Sequence, residues 1–298
     1  MKDTLMNHNL ARGVAMLAAA LMGLGAIFWI AANWDTLGRL GRFGLLEATL
    51  VVAGLGAMLL PVWRTPLALL VFLITGGLFA SIGQTYQTGA DPWQLFALWA
   101  ALGLPLAWVV RHDALWAPWV LVFTTALSLW VQTQTGGDWR LRDQDMWVHL
   151  MSWALLLGIT AGLSAPARAW TGAGVWSWRL AVTLSAMSIT FVALTSLFDK
   201  TLSSLYPMGL VVIGGGALLL SQARAFDLYG LSVLSLGLNL LLVCGLGRLM
   251  LRASLGDDLM SWLLLGLIAA GLLAMTVTWV LKLSHRHGSA ALTEGGVA

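Results

Sequence analysis

The chain has 298 residues, 59% of them hydrophobic and only 10% charged, with a mean hydropathy of +0.85. A soluble domain carries roughly a quarter charged residues, so this composition belongs in lipid and excludes a soluble catalytic domain. The formal charge is +3, but the basic residues stand singly between apolar runs. That pattern signals membrane topology, and no nucleic-acid partner is expected.

The N-terminal MKDTLMNHNLAR precedes about 20 apolar residues, more than a signal-peptide core holds, so the first run is expected to remain as a span. Apolar runs follow in order at about 12–32, 43–60, 66–84, 93–110, 114–131, 146–163, 178–198, 204–221, 228–247 and 259–281. None alternates with period two, so the expected fold is all-α, a polytopic transmembrane helix bundle of about ten spans. Residues 1–163 are expected to form an N-terminal six-span region, 164–177 a connecting loop and 178–281 a C-terminal four-span region. The polar, small-residue-rich 282–298 reads as a disordered tail. No internal repeat is visible.

With the N-terminus inside, the cytoplasmic side holds Lys2, Arg12, Arg64, Arg111, Arg168, Arg179, Arg224, Lys282 and Arg286. The opposite side holds Arg39, Arg42, Arg140, Arg142, Lys200, Arg248 and Arg252. The small excess places both termini in the cytoplasm. Cys244 is the only cysteine, so an intramolecular disulfide is excluded.

The most informative stretch is Ile82–Ala100, IGQTYQTGADPWQLFALWA, where an apolar run breaks into polar and turn-forming residues and resumes at Trp93. Asp91-Pro92 has the form of a helix start: a carboxylate able to cap free N–H groups, then the imino acid that needs none. The first span ends in IAANWD (Ile30–Asp35) on the same side of the membrane. Glu47, the only glutamate outside the tail, lies about one turn into the second apolar run. An acid at that depth costs a few kcal/mol unless it is neutral, paired or wetted.

Asn33, Asp35, Glu47, Gln84, Tyr86 and Asp91 therefore fall on four consecutive helices and face one side. One reading is a polar pocket for a cation, a proton or a polar solute. The other is structural: Asp35 and Asp91 cap helices, Asn33 and Gln84 satisfy backbone at helix ends, and Glu47 pairs with Arg39 or Arg42. Elsewhere, His149 reads as interfacial or hydrogen-bonded and Asn239 as an interhelical hydrogen-bond donor. Gly214–Gly216 and the Gly158/Gly162 spacing read as surfaces for close helix approach. Most tryptophans, including Trp29, Trp63, Trp116, Trp147, Trp176, Trp178, Trp262 and Trp279, are expected at headgroup depth, and Trp99 and Trp108 deeper. No HExxH, GxSxG, Walker motif or cysteine pair occurs, so neither an enzyme nor a bound metal or cofactor is expected.

IAANWD, then GQTYQTGADPWQLFALWA (Gly83–Ala100), then Leu104-Pro105-Leu106 resemble a bacterial family of uncharacterised multi-spanning membrane proteins, a domain of unknown function. The resemblance covers roughly residues 10–130 and implies an inner-membrane location without an established activity. The expectation is a non-enzymatic structural, regulatory or partner-binding component. Its partners would be the bilayer and another membrane protein. The alternative is a small secondary transporter of a polar solute or drug-like metabolite, proton-coupled through Glu47.

Overall fold

The computed structural model describes residues 2–86, 89, 91–137, 143–198, 204–223, 225–252 and 259–294. Gln87, Thr88 and Ala90 of the polar connection, and also Asp138, Arg140, Arg142, Asp199, Lys200, Arg224, Asp257 and Asp258, lie outside the described residues. Every regular element among the described residues is helical. In chain order these are α1 (Lys2–Ala32), α2 (Trp34–Leu59), α3 (Arg64–Tyr86), α4 (Pro92–Val110), α5 (Asp113–Gln134), α6 (Met146–Gly162), α7 (Arg168–Thr171), α8 (Val175–Leu197), α9 (Leu205–Ser221), α10 (Leu228–Arg252) and α11 (Leu259–Glu294).

Each apolar run read from the sequence is a helix. Among the described residues, eight helices are long and apolar enough to cross a membrane, or up to nine if α6 and the 165–171 segment, bent by 61°, form one span. At 17 residues, α9 measures about 25 Å against a hydrocarbon core of about 30 Å. The polytopic all-α fold holds, with fewer full-length spans than the apolar runs suggest.

The chain divides into two compact units: Met1–Thr133 with Gly162–Trp178, and Gln134–Ala161 with Arg179–Ala298. In the first unit α3 is the hub, carrying α1, α2 and α4. Half of its span is buried, against 17% for each of those three neighbours. Gly76 and Gly77 let the neighbours close in. A Cβ at Gly76 would overlap the Trp99 ring of α4, and one at Gly77 would lie 2.7 Å from Ile27 of α1. Trp99 donates its indole N–H to the Phe72 carbonyl at 2.8 Å, and Trp119 to the Ala100 carbonyl at 2.7 Å. Each ring thus buries its apolar body while its one donor is satisfied by main chain.

Trp116 and Trp178 depart from the expected interfacial belt: both are buried. Trp116 instead bonds the Thr171 carbonyl at 2.9 Å. Trp29, Trp63, Trp147, Trp176, Trp262 and Trp279 are exposed, as headgroup-depth rings should be.

The sequence-based division counts α6 with the first region and treats 164–177 as a linker. The structure groups α6 with the later helices, and 162–178 packs with the first unit. The reason is a carboxylate. Asp113, at the start of α5, accepts the N–H groups of Gly174 at 2.7 Å, Trp176 at 3.0 Å and Ser177 at 3.2 Å, and also the Ser177 hydroxyl. These are the otherwise unpaired donors at the start of α8, capped from 61 residues away. Arg111, in the left-handed region at φ 55°, donates to the Ala169 carbonyl and ties the same segment.

In the second unit the core is Trp153, Ala186, Ile189, Ala193, Leu205, Ile213 and Leu241. Thr160 of α6 and Ser185 of α8 share a hydrogen bond of 2.9 Å, and Tyr206 of α9 donates to the Leu241 carbonyl of α10 at 2.9 Å. Asn239 makes the interhelical bond expected of it, donating to Thr276 of α11 at 3.1 Å. Gly214 and Gly216 take Leu238 and Leu234 of α10 against them. Gly158 and Gly162 have open space where a Cβ would stand, so that spacing joins no described helices.

The helix of α11 continues to Glu294, past the point where the tail reads as disordered. Residues 283–294 contain one glycine and no proline, and extending an existing helix requires no new nucleus.

Candidate functional site

The polar end of the first unit begins at Asn33, the single residue between α1 and α2. Its amide donates to the Trp29 carbonyl at 2.9 Å, and its own carbonyl receives the Leu37 N–H at 3.1 Å. Asn33 is thus engaged with main chain at a helix end. Asp35 is exposed in the first turn of α2, where the helix dipole favours an acid. Three residues on, Gly38 breaks α2 with φ 59° and ψ 171°, a conformation essentially restricted to glycine.

After that break α2 presents two arginines to aromatic rings. Arg39 donates to the Tyr86 hydroxyl, and its guanidinium lies 4.6 Å from the Tyr86 ring centre. Arg42 lies 3.7 Å over the Trp34 ring. Phe43 adds a ring contact to Tyr86 at 6.2 Å. Here α2 and the end of α3 are joined, through cation–π attraction and a charged donor.

The other sequence candidates are placed differently. Gln84 and Asp91 are exposed. Asp91 occupies the cap position of α4, with its carbonyl accepting the Gln94 N–H at 3.0 Å and Pro92 opening the helix, but its side chain makes no capping bond. Glu47 is exposed, and no hydrogen bond or ion pair joins it to a described residue. Tyr86 is brought to α2 by Arg39, while Glu47 points elsewhere.

The side of α2 on which Glu47 stands is distinct. Leu46 and Ala53 are buried toward the neighbouring helices, while Leu40, Glu47, Val51, Leu55 and Met58 are exposed at spacings of seven, four, four and three residues. Those spacings put them on one outward helical face. One carboxylate sits amid exposed Leu, Val and Met, about 12 Å along the helix from Arg39.

Sequence reasoning missed a second group of residues, in the second unit. Asp145, in the short turn just before α6, and His149 and Trp153 on α6 follow one another at four-residue spacing, and are 7%, 6% and 3% exposed. Oδ2 of Asp145, Nε2 of His149 and Nε1 of Trp153 are all buried without a hydrogen-bond partner. Of the two readings the sequence suggests for His149, interfacial or hydrogen-bonded, the second does not hold at Nε2. The repeated four-residue spacing was the available signal. Buried polar atoms are nearly always paired, which sets these three apart from the satisfied polar groups of the first unit.

Among the described residues no three histidine, cysteine or acidic side chains are grouped as a metal would need.

Residues 2–116 match the family model described as Predicted membrane protein (DUF2157). The match takes in α1 to α4 and the first residues of α5, including all three stretches that carry the resemblance. No curated protein and no solved structure matches the chain. The DUF2157 match and the apolar helices establish a multi-pass membrane protein. The residues with unusual surroundings fall both within the DUF2157 region, at Arg39, Tyr86 and Glu47, and beyond it, at Asp145, His149 and Trp153.

Proposed function

We propose that this is a non-enzymatic, partner-binding protein of the bacterial inner membrane, with both termini cytoplasmic, and that it receives another membrane protein on the outward face of α2. The observation that carries this reading is the exposure of Glu47. An acidic residue facing hydrocarbon costs about 2.5–3.5 kcal/mol on insertion scales, so a helix face that keeps one needs a polar or cationic group to cover it. Leu40, Val51, Leu55 and Met58 supply the apolar surround of such a contact.

The test places a photo-crosslinking side chain singly at positions 44, 48, 51, 55, 50 and 53. Crosslinks to one protein from the outward positions 44, 48, 51 and 55, absent at 50 and 53 and lost on Glu47→Leu, support the reading. Crosslinking without helical periodicity, or unchanged by Glu47→Leu, overturns it. A reporter fused after Ala298 checks orientation: activity only in the periplasm contradicts cytoplasmic termini.

The transport alternative draws support from a different place than Glu47. The unmet Asp145, His149 and Trp153 are the groups a proton-coupled carrier would use, because intramembrane ionisable residues mark proton relays. Proteoliposomes holding the full chain would show pH-gradient-driven solute uptake, lost in His149→Phe. A pH gradient that drives no uptake removes this alternative.

A further inference from the structure

The α3–α4 face of the first unit carries an open apolar groove of about 370 Å³, lined by Val71, Phe72, Thr75, Trp99, Gly103 and Val109 among others. Two features make its floor. At Gly103 a Cβ would overlap the Phe72 ring, so the missing side chain lets Phe72 of α3 pack directly against α4 and form the floor. Trp99 is held flat beneath it by its bond to the Phe72 carbonyl, with the two rings 5.2 Å apart. The one hydroxyl in the lining, on Thr75, is spent on the Val71 carbonyl at 2.8 Å. The groove offers its occupant mostly apolar surface.

Its length and its ends are informative. From Trp99 to Val109 the lining runs about 15 Å along α4, half the ~30 Å hydrocarbon core and so the depth of one leaflet. Phe72 meets Gly103 and Gly76 meets Trp99, so each step back along α3 is a step forward along α4. Continued in that register, Arg64 at the start of α3 falls level with Arg111 at the end of α4. Both are exposed. Arg64 has no hydrogen bond or ion pair with a described residue. Arg111 gives one donor to Ala169, and a guanidinium has five. By register, Arg64 and Arg111 thus belong to the same end of the α3–α4 pair, the end toward which the trough runs at Val109.

We propose that this groove seats one acyl chain of an anionic glycerophospholipid whose phosphate is held by Arg64 and Arg111. The apolar trough accounts for the chain and the paired arginines for the charge, since guanidinium groups bind phosphate through parallel N–H donors. A zwitterionic lipid fits the trough equally but gains less from two cations.

The test uses the full-length protein in detergent, offered dioleoylphosphatidylglycerol or dioleoylphosphatidylethanolamine in mixed micelles, with retained lipid counted by native mass spectrometry. The wild type should retain the phosphatidylglycerol in preference, and that preference should shrink in high salt, because the phosphate contact is screened. Arg64→Gln should lower phosphatidylglycerol retention about fivefold and leave phosphatidylethanolamine unchanged, whereas Arg64→Lys should keep most of it. Val109→Trp, which fills the groove, should lower both. Equal retention of the two lipids, a preference indifferent to salt, or binding untouched by Arg64→Gln or by Val109→Trp overturns the proposal. A lipid-free dimer overturns it too, by giving the groove to a second copy.

Discussion

Asp113 in the first unit and Asp145 in the second occupy the same kind of place, a helix start after a loop, and meet opposite surroundings. Asp113 accepts three main-chain N–H groups and a serine hydroxyl, all from a segment far along the chain. Asp145 is 7% exposed and leaves Oδ2 unmet, with the unmet Nε2 of His149 one turn further on. A buried acid whose acceptors are filled contributes to stability. One with an acceptor left unmet contributes less, or costs stability. The contrast repeats in the tryptophans: Trp99 and Trp119 have main-chain partners for their N–H groups, and Trp153 has none.

Removing the filled acid should have the largest effect. Asp113→Ala strands three N–H groups and a hydroxyl and should cost about 3 kcal/mol, with Asp113→Asn intermediate, measured by chemical unfolding in detergent. Limited proteolysis should then cut within 164–177. If Asp113→Ala unfolds like the wild type, the carboxylate is not the tie described here.

The tryptophan pair sharpens the contrast. Trp99→Phe should be about 1 kcal/mol more destabilising than Trp153→Phe, because only the first substitution breaks a hydrogen bond. Equal costs would mean that the Trp153 N–H has a partner.

Asp145→Leu should be neutral or stabilising by up to about 1 kcal/mol, since it replaces an incompletely satisfied acid with an apolar group. A cost approaching that of Asp113→Ala would erase the difference between the two acids. The smallest effect is expected at Asp91. Its side chain makes no capping bond, so Asp91→Ala should cost only a few tenths of a kcal/mol, against about 1 kcal/mol for a true cap.

The helices were legible because each apolar run is long and bounded by charge or turn residues, but α1 and α2 begin about nine or ten residues before their apolar runs and α11 ends thirteen residues after its own, because polar flanks continue a helix once it is formed. The interhelical role of Asn239 was legible too, since a mid-span amide has little else to do. Side-chain direction was harder. Glu47 is one residue from the buried Leu46, and a helix turns by about 100° between them, so a boundary uncertain by one residue moves an acid from pocket to exterior. The role of Asp113 was hidden for another reason: an acid at a helix start looks like the cap of its own helix, and nothing local points to a partner at 174–177. Asp145, His149 and Trp153 were visible as a spacing but not as a site, because burial and unmet hydrogen bonds are properties of packing.

The bond between Asp113 and the start of α8 also sets an order of events during synthesis. The acid is made 61 residues before Gly174, which at ~5–20 residues per second is an interval of roughly 3–12 s. Through that interval α5 and then α6 are produced while the carboxylate lacks its donors. A nascent chain arrested at residue 160 should therefore hold α1 to α5 in a state more open to protease at 110–114 than the released protein. Moving the arrest point far enough downstream for 174–177 to leave the ribosome should restore protection. The first unit begins to form at the first span and closes only after part of the second has been made.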